Sequence, residues 1–145
     1  MEGSKGIERA PLAPLIPTAK GPALLIDCGA NVDARASHLV QFAQMGSIYM
    51  KHVVGVDNPK VAIVNIGAEE EKGNQLVKET YPLLKECKDI NFTGSIEARD
   101  IPKGDADVIV CEAFVGNVIL KLYEGLAGTL LSKVKQGLMS TLRIR

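Results

Sequence analysis

Lys72 stands in the stretch Gly67-Ala68-Glu69-Glu70-Glu71-Lys72-Gly73-Asn74, where a cation and an amide side chain are interleaved with glycine. Glycine lets main-chain N–H groups come close to an anion, lysine supplies neutralising charge, and asparagine adds a side-chain donor. Three other stretches share this character: Gly29 with Asn31 and Asp33, Gly94 with Glu97, Arg99 and Asp100, and Gly116 with Asn117. One such stretch is ordinary turn chemistry. Several gathered on one edge of a domain would cradle a small anion. Two familiar phosphate signatures are excluded by residue order, since residues 67–74 lack G-x-x-x-x-G-K-[ST] and residues 28–33 lack G-x-G-x-x-G. His38 and His52 do not have metal-ligand spacing and are expected on or near a helix surface; neither a metal nor a cofactor is expected. Cys28 lies in a candidate loop, but no histidine is near it in sequence to activate the thiol, so a small buried hydrophobe is expected there.

Elements that could gather these stretches are legible as short apolar runs at residues 23–26, 61–66 and 107–111, with a weaker one at 90–92. Runs without alternation, separated by helical patterns, predict strands buried on both faces of a parallel sheet. Leu39, Phe42, Ala43, Gly46 and Tyr49 predict one helix, with Ser37 as its N-cap. Leu76, Tyr81, Leu84 and Cys87 predict a second, and a third runs from the turn at 112–117 to the end. In such sheets ligands bind beyond the carboxyl ends of the strands, where loops meet helix N-termini. The loops to inspect are therefore 27–35, 65–75, 93–103 and 111–118.

Residues 1–22 read differently. Pro11, Pro14, Pro17 and Pro22 oppose a helix and a central strand. Their spacing fits a polyproline ligand, or an extended connector lying on the domain with Leu12, Leu15 and Ile16 seeking burial. Residues 23–145 form the α/β part. Seventeen basic residues balance seventeen acidic ones, so no overall field recruits nucleic acid or an anionic membrane. With aromatics at 4% and no Trp, a base-stacking platform is not expected either. The opening lacks a basic start followed by an apolar run, no span of roughly 18 apolar residues is expected, and the chain is expected to be soluble and cytoplasmic.

The ordered motifs DxGANxD (27–33), MGS (45–47), NIGxEExKGN (65–74), GxxExRDIP (94–102) and GNVxLK (116–121) resemble the phosphate acyltransferase family of bacterial phospholipid synthesis, PlsX. The resemblance runs from Gly6 to about Arg143. It implies transfer of a fatty acyl group from acyl carrier protein to inorganic phosphate, giving an acyl phosphate. It also implies a Rossmann-like α/β/α sandwich, similar to isopropylmalate dehydrogenase and phosphotransacetylase, in a cytosolic homodimer that contacts the membrane peripherally. Lys72 and Asn117 match the residues thought essential, and the cradle would be completed by Gly29, Asn31, Gly67, Glu70, Gly73, Asn74 and Gly116. Residue by residue, the plainer alternatives are a solvated loop charge paired with Glu69 or Glu71 for Lys72 and a helix cap for Asn117.

Family members are longer, with Gly-rich DAMGGD and GNTGA motifs ahead of the matching text, so the chain is expected to be a central piece. The alternative function is an inactive module that only dimerises or binds carrier protein, or another transferase of the same superfold. Val115 stands where the family usually has Thr, which removes a hydroxyl that could touch phosphate. The final helix repeats apolar residues from Ile119 to Leu138 at helical spacing, and its polar side ends in Lys133, Lys135, Arg143 and Arg145. A basic amphipathic helix suits an acidic carrier protein or a membrane surface; residues 119–130 are expected in a core or dimer contact, and exposure beyond Leu131.

Overall fold

The structure, a computed structural model, describes residues 10–29 and 33–144. Strand β1 (Leu15–Thr18) turns back into β2 (Gly21–Ile26), and helix α1 (Ala36–Tyr49) continues through a π turn into β3 (Lys60–Val64). Helix α2 (Gln75–Glu86), β4 (Asn91–Ile96), a 3₁₀ segment (Ala98–Lys103), β5 (Val108–Val110) and α3 (Ala113–Ile144) complete the chain. The sheet order is β1-β2-β5-β3-β4. All neighbours pair in parallel except β1, which is antiparallel to β2. This is the mainly parallel α/β sheet that unalternated apolar runs predict.

Burial explains those runs. Leu24, Ile26, Val61, Ile63, Val108 and Val110 enter one core with Leu39, Phe42 and Ala43 of α1 and Leu84 of α2. Leu25, Ala62 and Ile109, which alternate with them, enter a second core with Ile16, Ile101 and Ile119. Both faces of the central strands are therefore apolar, and alternation disappears from the sequence.

Several boundaries differ from expectation. The Pro-rich segment is not merely a connector: residues 15–18 are an edge strand, with Ile16 opposite Ala23 and Pro17 opposite Pro22. An edge position tolerates proline because one side of the strand has no ladder to supply. Helix α1 is capped by Arg35, not Ser37. His38 is buried rather than on the helix surface, because its Nδ1 accepts the Arg35 N–H at 3.1 Å and the ring folds back over the helix start. Tyr49 is 40% exposed and leaves the core face. Strand β4 runs to Ile96, past Gly94, and β5 is confined to Val108–Val110.

The largest difference concerns the last helix. The expected turn at 112–117 is already helical from Ala113, so Gly116 and Asn117 belong to α3. Core contact ends earlier than expected: Ile119 is buried, but every residue from 124 to 141 is exposed. Against the expectation of no such span, an 18-residue window within Ala113–Thr141 has mean hydropathy 1.2, so the helix is long and apolar enough to cross a membrane by length and composition.

Candidate functional site at the carboxyl edge of the sheet

The carboxyl ends of β2, β5, β3 and β4 lie side by side; those of β2, β5 and β3 lead into Gly-bearing segments, and β4, which itself contains Gly94, leads into Glu97, Arg99 and Asp100. Where β3 ends, Asn65 is buried, at 5% exposure. Its Nδ2 donates to the Lys72 carbonyl (3.1 Å) and to Ser95 Oγ (3.2 Å), while its Oδ1 accepts the Ile66 N–H (2.8 Å). Gly73 has φ +103°, in the region that favours glycine, and a Cβ there would lie 2.6 Å from Asn65 Oδ1. Asn74 then caps α2, its Oδ1 accepting the Val77 N–H at 3.0 Å.

At the neighbouring strand ends a second group assembles. Asp27, only 2% exposed, accepts the main-chain N–H groups of Leu12 (2.9 Å) and Gly29 (2.8 Å) on one oxygen. Helix α3 docks against this turn so closely that a Cβ at Gly116 would overlap the Asp27 carbonyl oxygen. Asn117 Nδ2 donates to the Cys28 carbonyl at 3.4 Å. Glu112 caps the helix, its carboxylate accepting the N–H groups of Val115 (2.7 Å) and Phe114 (3.1 Å). An acceptor placed on free amides of the first turn is favourable for both hydrogen bonding and the helix dipole.

Between the β3 loop and the start of α3 opens a cleft of about 940 Å³. Its wall is mostly apolar, with Ile63, Ile66, Leu76 and Val77 facing Phe114, Val115, Val118 and Ile119. A few polar groups converge at it, namely Asn65, Asn74, Glu97, Arg99 and Glu112. A large apolar cavity with sparse, placed polar groups is the general form of a small-molecule site.

The expected residues fall into distinct places. Gly73 and Asn74 line the cleft. Lys72 is exposed beside them, its side chain lying over Gly67, where a Cβ would approach Lys72 Cγ to 3.1 Å. Among the described residues no ion pair joins Lys72 to Glu69 or Glu71. Glu70 faces Lys85 of α2 at 3.6 Å. Gly29, Gly116 and Asn117 cluster around Asp27 and Cys28, off the cleft wall. Asn31 lies outside the described residues. Glu97 and Arg99 line the cleft and pair with each other at 3.5 Å.

Two participants escape sequence reading. Asn65 looks like the last letter of an apolar strand, and Glu112 like part of a turn; an acid directly ahead of a helical pattern was the available signal for the second. Cys28 is buried, and its thiol is pushed up to about 12 by desolvation and then by the Asp27 charge. Desolvation, followed by the neighbouring Cys28 and Glu112, also holds the Cys111 thiol well above its usual range. Neither offers a thiolate nucleophile at neutral pH.

Comparison with known proteins decides the family. The family model described as "Fatty acid synthesis protein" matches residues 1–144. The chain belongs to this family. Within the family it is 58% identical over 137 residues to a phosphate acyltransferase of Clostridium perfringens, covering 94% of this chain and 40% of that protein. It is 51% identical over 141 residues to a phosphate acyltransferase of Clostridium novyi, covering 97% of this chain and 42% of the relative. The family member described here therefore spans less than half the length of the curated relatives it matches. Its fold is shared with EutD phosphotransacetylase from Staphylococcus aureus, at TM-score 0.65 and 20% identity over 85% of this chain and 44% of that one. A branched-chain phosphotransacylase from Enterococcus faecalis superposes at TM-score 0.52 with 20% identity, over 74% of this chain and 46% of that one.

Proposed function

We propose that this chain is the part of a phosphate acyltransferase that holds inorganic phosphate beside an acyl thioester, so that an acyl group passes from acyl carrier protein to phosphate for phospholipid synthesis. The observation that carries the reading is the apolar cleft of about 940 Å³ with the Lys72 loop at its rim. An acyl chain needs an apolar wall, and its reacting end needs cations and N–H donors nearby.

In the reaction a phosphate oxygen attacks the thioester carbonyl carbon. The carbonyl oxygen carries negative charge in the tetrahedral intermediate. Its collapse breaks the C–S bond and leaves acyl phosphate and the carrier thiolate, which takes a proton from water. Phosphate is itself nucleophilic at neutral pH, so the protein's work is orientation and charge stabilisation. Lys72 neutralises phosphate, with Gly67, Glu70, Gly73 and Asn74 shaping its side of the cradle. Gly29 borders the other side, where Gly116 lets α3 approach the Asp27 carbonyl, and a donor role for Asn31 rests on the family resemblance alone. Asn117 holds the β2 turn through the Cys28 carbonyl and has a second N–H to offer the acyl or phosphate oxygen.

The exposed part of α3 supports partner contact. Leu126, Leu130, Val134 and Leu138 share a stripe, with Lys133 and Lys135 beside it and no acid after Glu124. A second copy in a homodimer, the acidic carrier protein, and peripheral contact with the cytoplasmic face of a membrane are the partners this surface suits. In the complete enzyme, Lys72→Ala should lower acyl phosphate formation at least about tenfold, the usual effect of removing one transition-state donor. Unchanged turnover would remove Lys72 from the mechanism.

A further inference from the structure

We infer that Asn65 is the positioning residue of the phosphate loop, acting through Lys72 without touching substrate; the inference rests on the proposed role of Lys72. The carboxamide joins both ends of one loop. Its Oδ1 takes the N–H of Ile66, where the chain leaves β3, and its Nδ2 gives a hydrogen to the carbonyl of Lys72, where the loop returns. The remaining Nδ2 hydrogen goes to Ser95 Oγ on β4, which ties the closed loop to the sheet. The Asn65 main-chain N–H is held by the Ile96 carbonyl at 2.9 Å, so the clamp itself is fixed on the ladder.

No other side chain of this size supplies the same set. The position requires one acceptor and two donors on a single planar group, which aspartate, threonine and leucine lack. Gly73 completes the unit, because any side chain there would occupy the space of Asn65 Oδ1. An unclamped loop would regain its conformational freedom, and Lys72 would spend less time where phosphate needs it. The clamp is buried at 5% exposure, so water cannot readily replace its hydrogen bonds.

The test is a double-mutant cycle on the 145-residue chain, read by phosphate titration in NMR and by backbone ¹⁵N relaxation of residues 66–73. Asn65→Asp keeps shape and one acceptor but removes both donors. It should weaken phosphate binding about tenfold in the presence of Lys72 and cause no further loss in Lys72→Ala. Relaxation should show the loop, and not β3 or β4, becoming mobile. Ser95→Ala should produce the same pattern with smaller amplitude, and it serves if Asn65→Asp does not fold. Equal losses on both backgrounds would overturn the inference, since Asn65 would then support the fold rather than Lys72. A silent Lys72→Ala would instead refute the reading of Lys72, and where the unaltered chain binds no phosphate the same cycle is read as acyl phosphate formation in the complete enzyme. The relaxation measured without phosphate would still decide whether Asn65 orders the loop.

Discussion

Gly116→Ala adds one methyl group where α3 meets the turn after β2, and that methyl would overlap the Asp27 carbonyl oxygen while lying 3.1 Å from Cys111 Sγ. The obstructing atom is backbone, in a peptide whose Cys28 N–H donates to the Leu12 carbonyl at 2.7 Å, so no rotamer change relieves it. The helix must lift, and the Asn117 contact to Cys28 goes with it. Overpacking a tight site costs about 1–3 kcal/mol, and a backbone obstruction belongs at the upper end. Replacing glycine by alanine inside a helix returns about 1 kcal/mol of propensity, leaving a net loss of about 2 kcal/mol. For a chain of this size that corresponds to a fall in Tm of roughly 4–8 °C. Gly125→Ala is the matched control in the same helix, because a Cβ at Gly125 meets nothing within 4 Å. It keeps the propensity gain and should raise Tm by a few degrees. Circular dichroism melts of the two variants and the parent measure this directly. Midpoints for the two variants within about 2 °C of each other would refute the packing argument, because the propensity term is common to both.

The cysteines should separate by reactivity: iodoacetamide at pH 8 should label only the half-buried Cys87, and slowly, since desolvation and its hydrogen bond to Asp89 push that thiol up as well. Mass spectrometry showing rapid labelling of Cys28 or Cys111 in the folded chain would contradict their burial. Because the Cys28 thiol rises from 9.0 to about 12 on folding, the stability it contributes is present below pH 9 and lost as pH climbs toward 12. Cys28→Ala should flatten that alkaline decline in urea midpoints. Glu112→Ala removes the acceptor for two helix amides and should cost about 1 kcal/mol, whereas Glu112→Gln, which keeps an acceptor, should cost less; equal melts for the two would remove the carboxylate from capping.

Much of the architecture was legible in residue types alone. Residues 23–26, 61–64 and 108–110 are apolar without alternation because both faces of those strands are buried, as in a helix-covered parallel sheet. From that sheet type follows the edge at which the loops meet, and glycine, asparagine and lysine in those loops carry the expectation of an anion site there. The family motifs were equally local, being ordered text. What tertiary structure decided depends on partners remote in sequence. The Pro-rich segment becomes a strand only because β2 offers it an edge, which no proline count reveals. Gly116 reads as loop chemistry beside Asn117, yet its place is set by Asp27, a residue brought under α3 by the parallel pairing of β2 with β5. His38 is turned inward by a hydrogen bond at the helix start rather than by any apolar pattern. Asn65 carries no local sign of its role, since one of its partners lies seven residues away and another thirty, on the next strand. Hydrophobic periodicity reports which surfaces are buried and is written along the chain, whereas a polar clamp is a meeting of directional donors and acceptors that exists only once the strands are side by side.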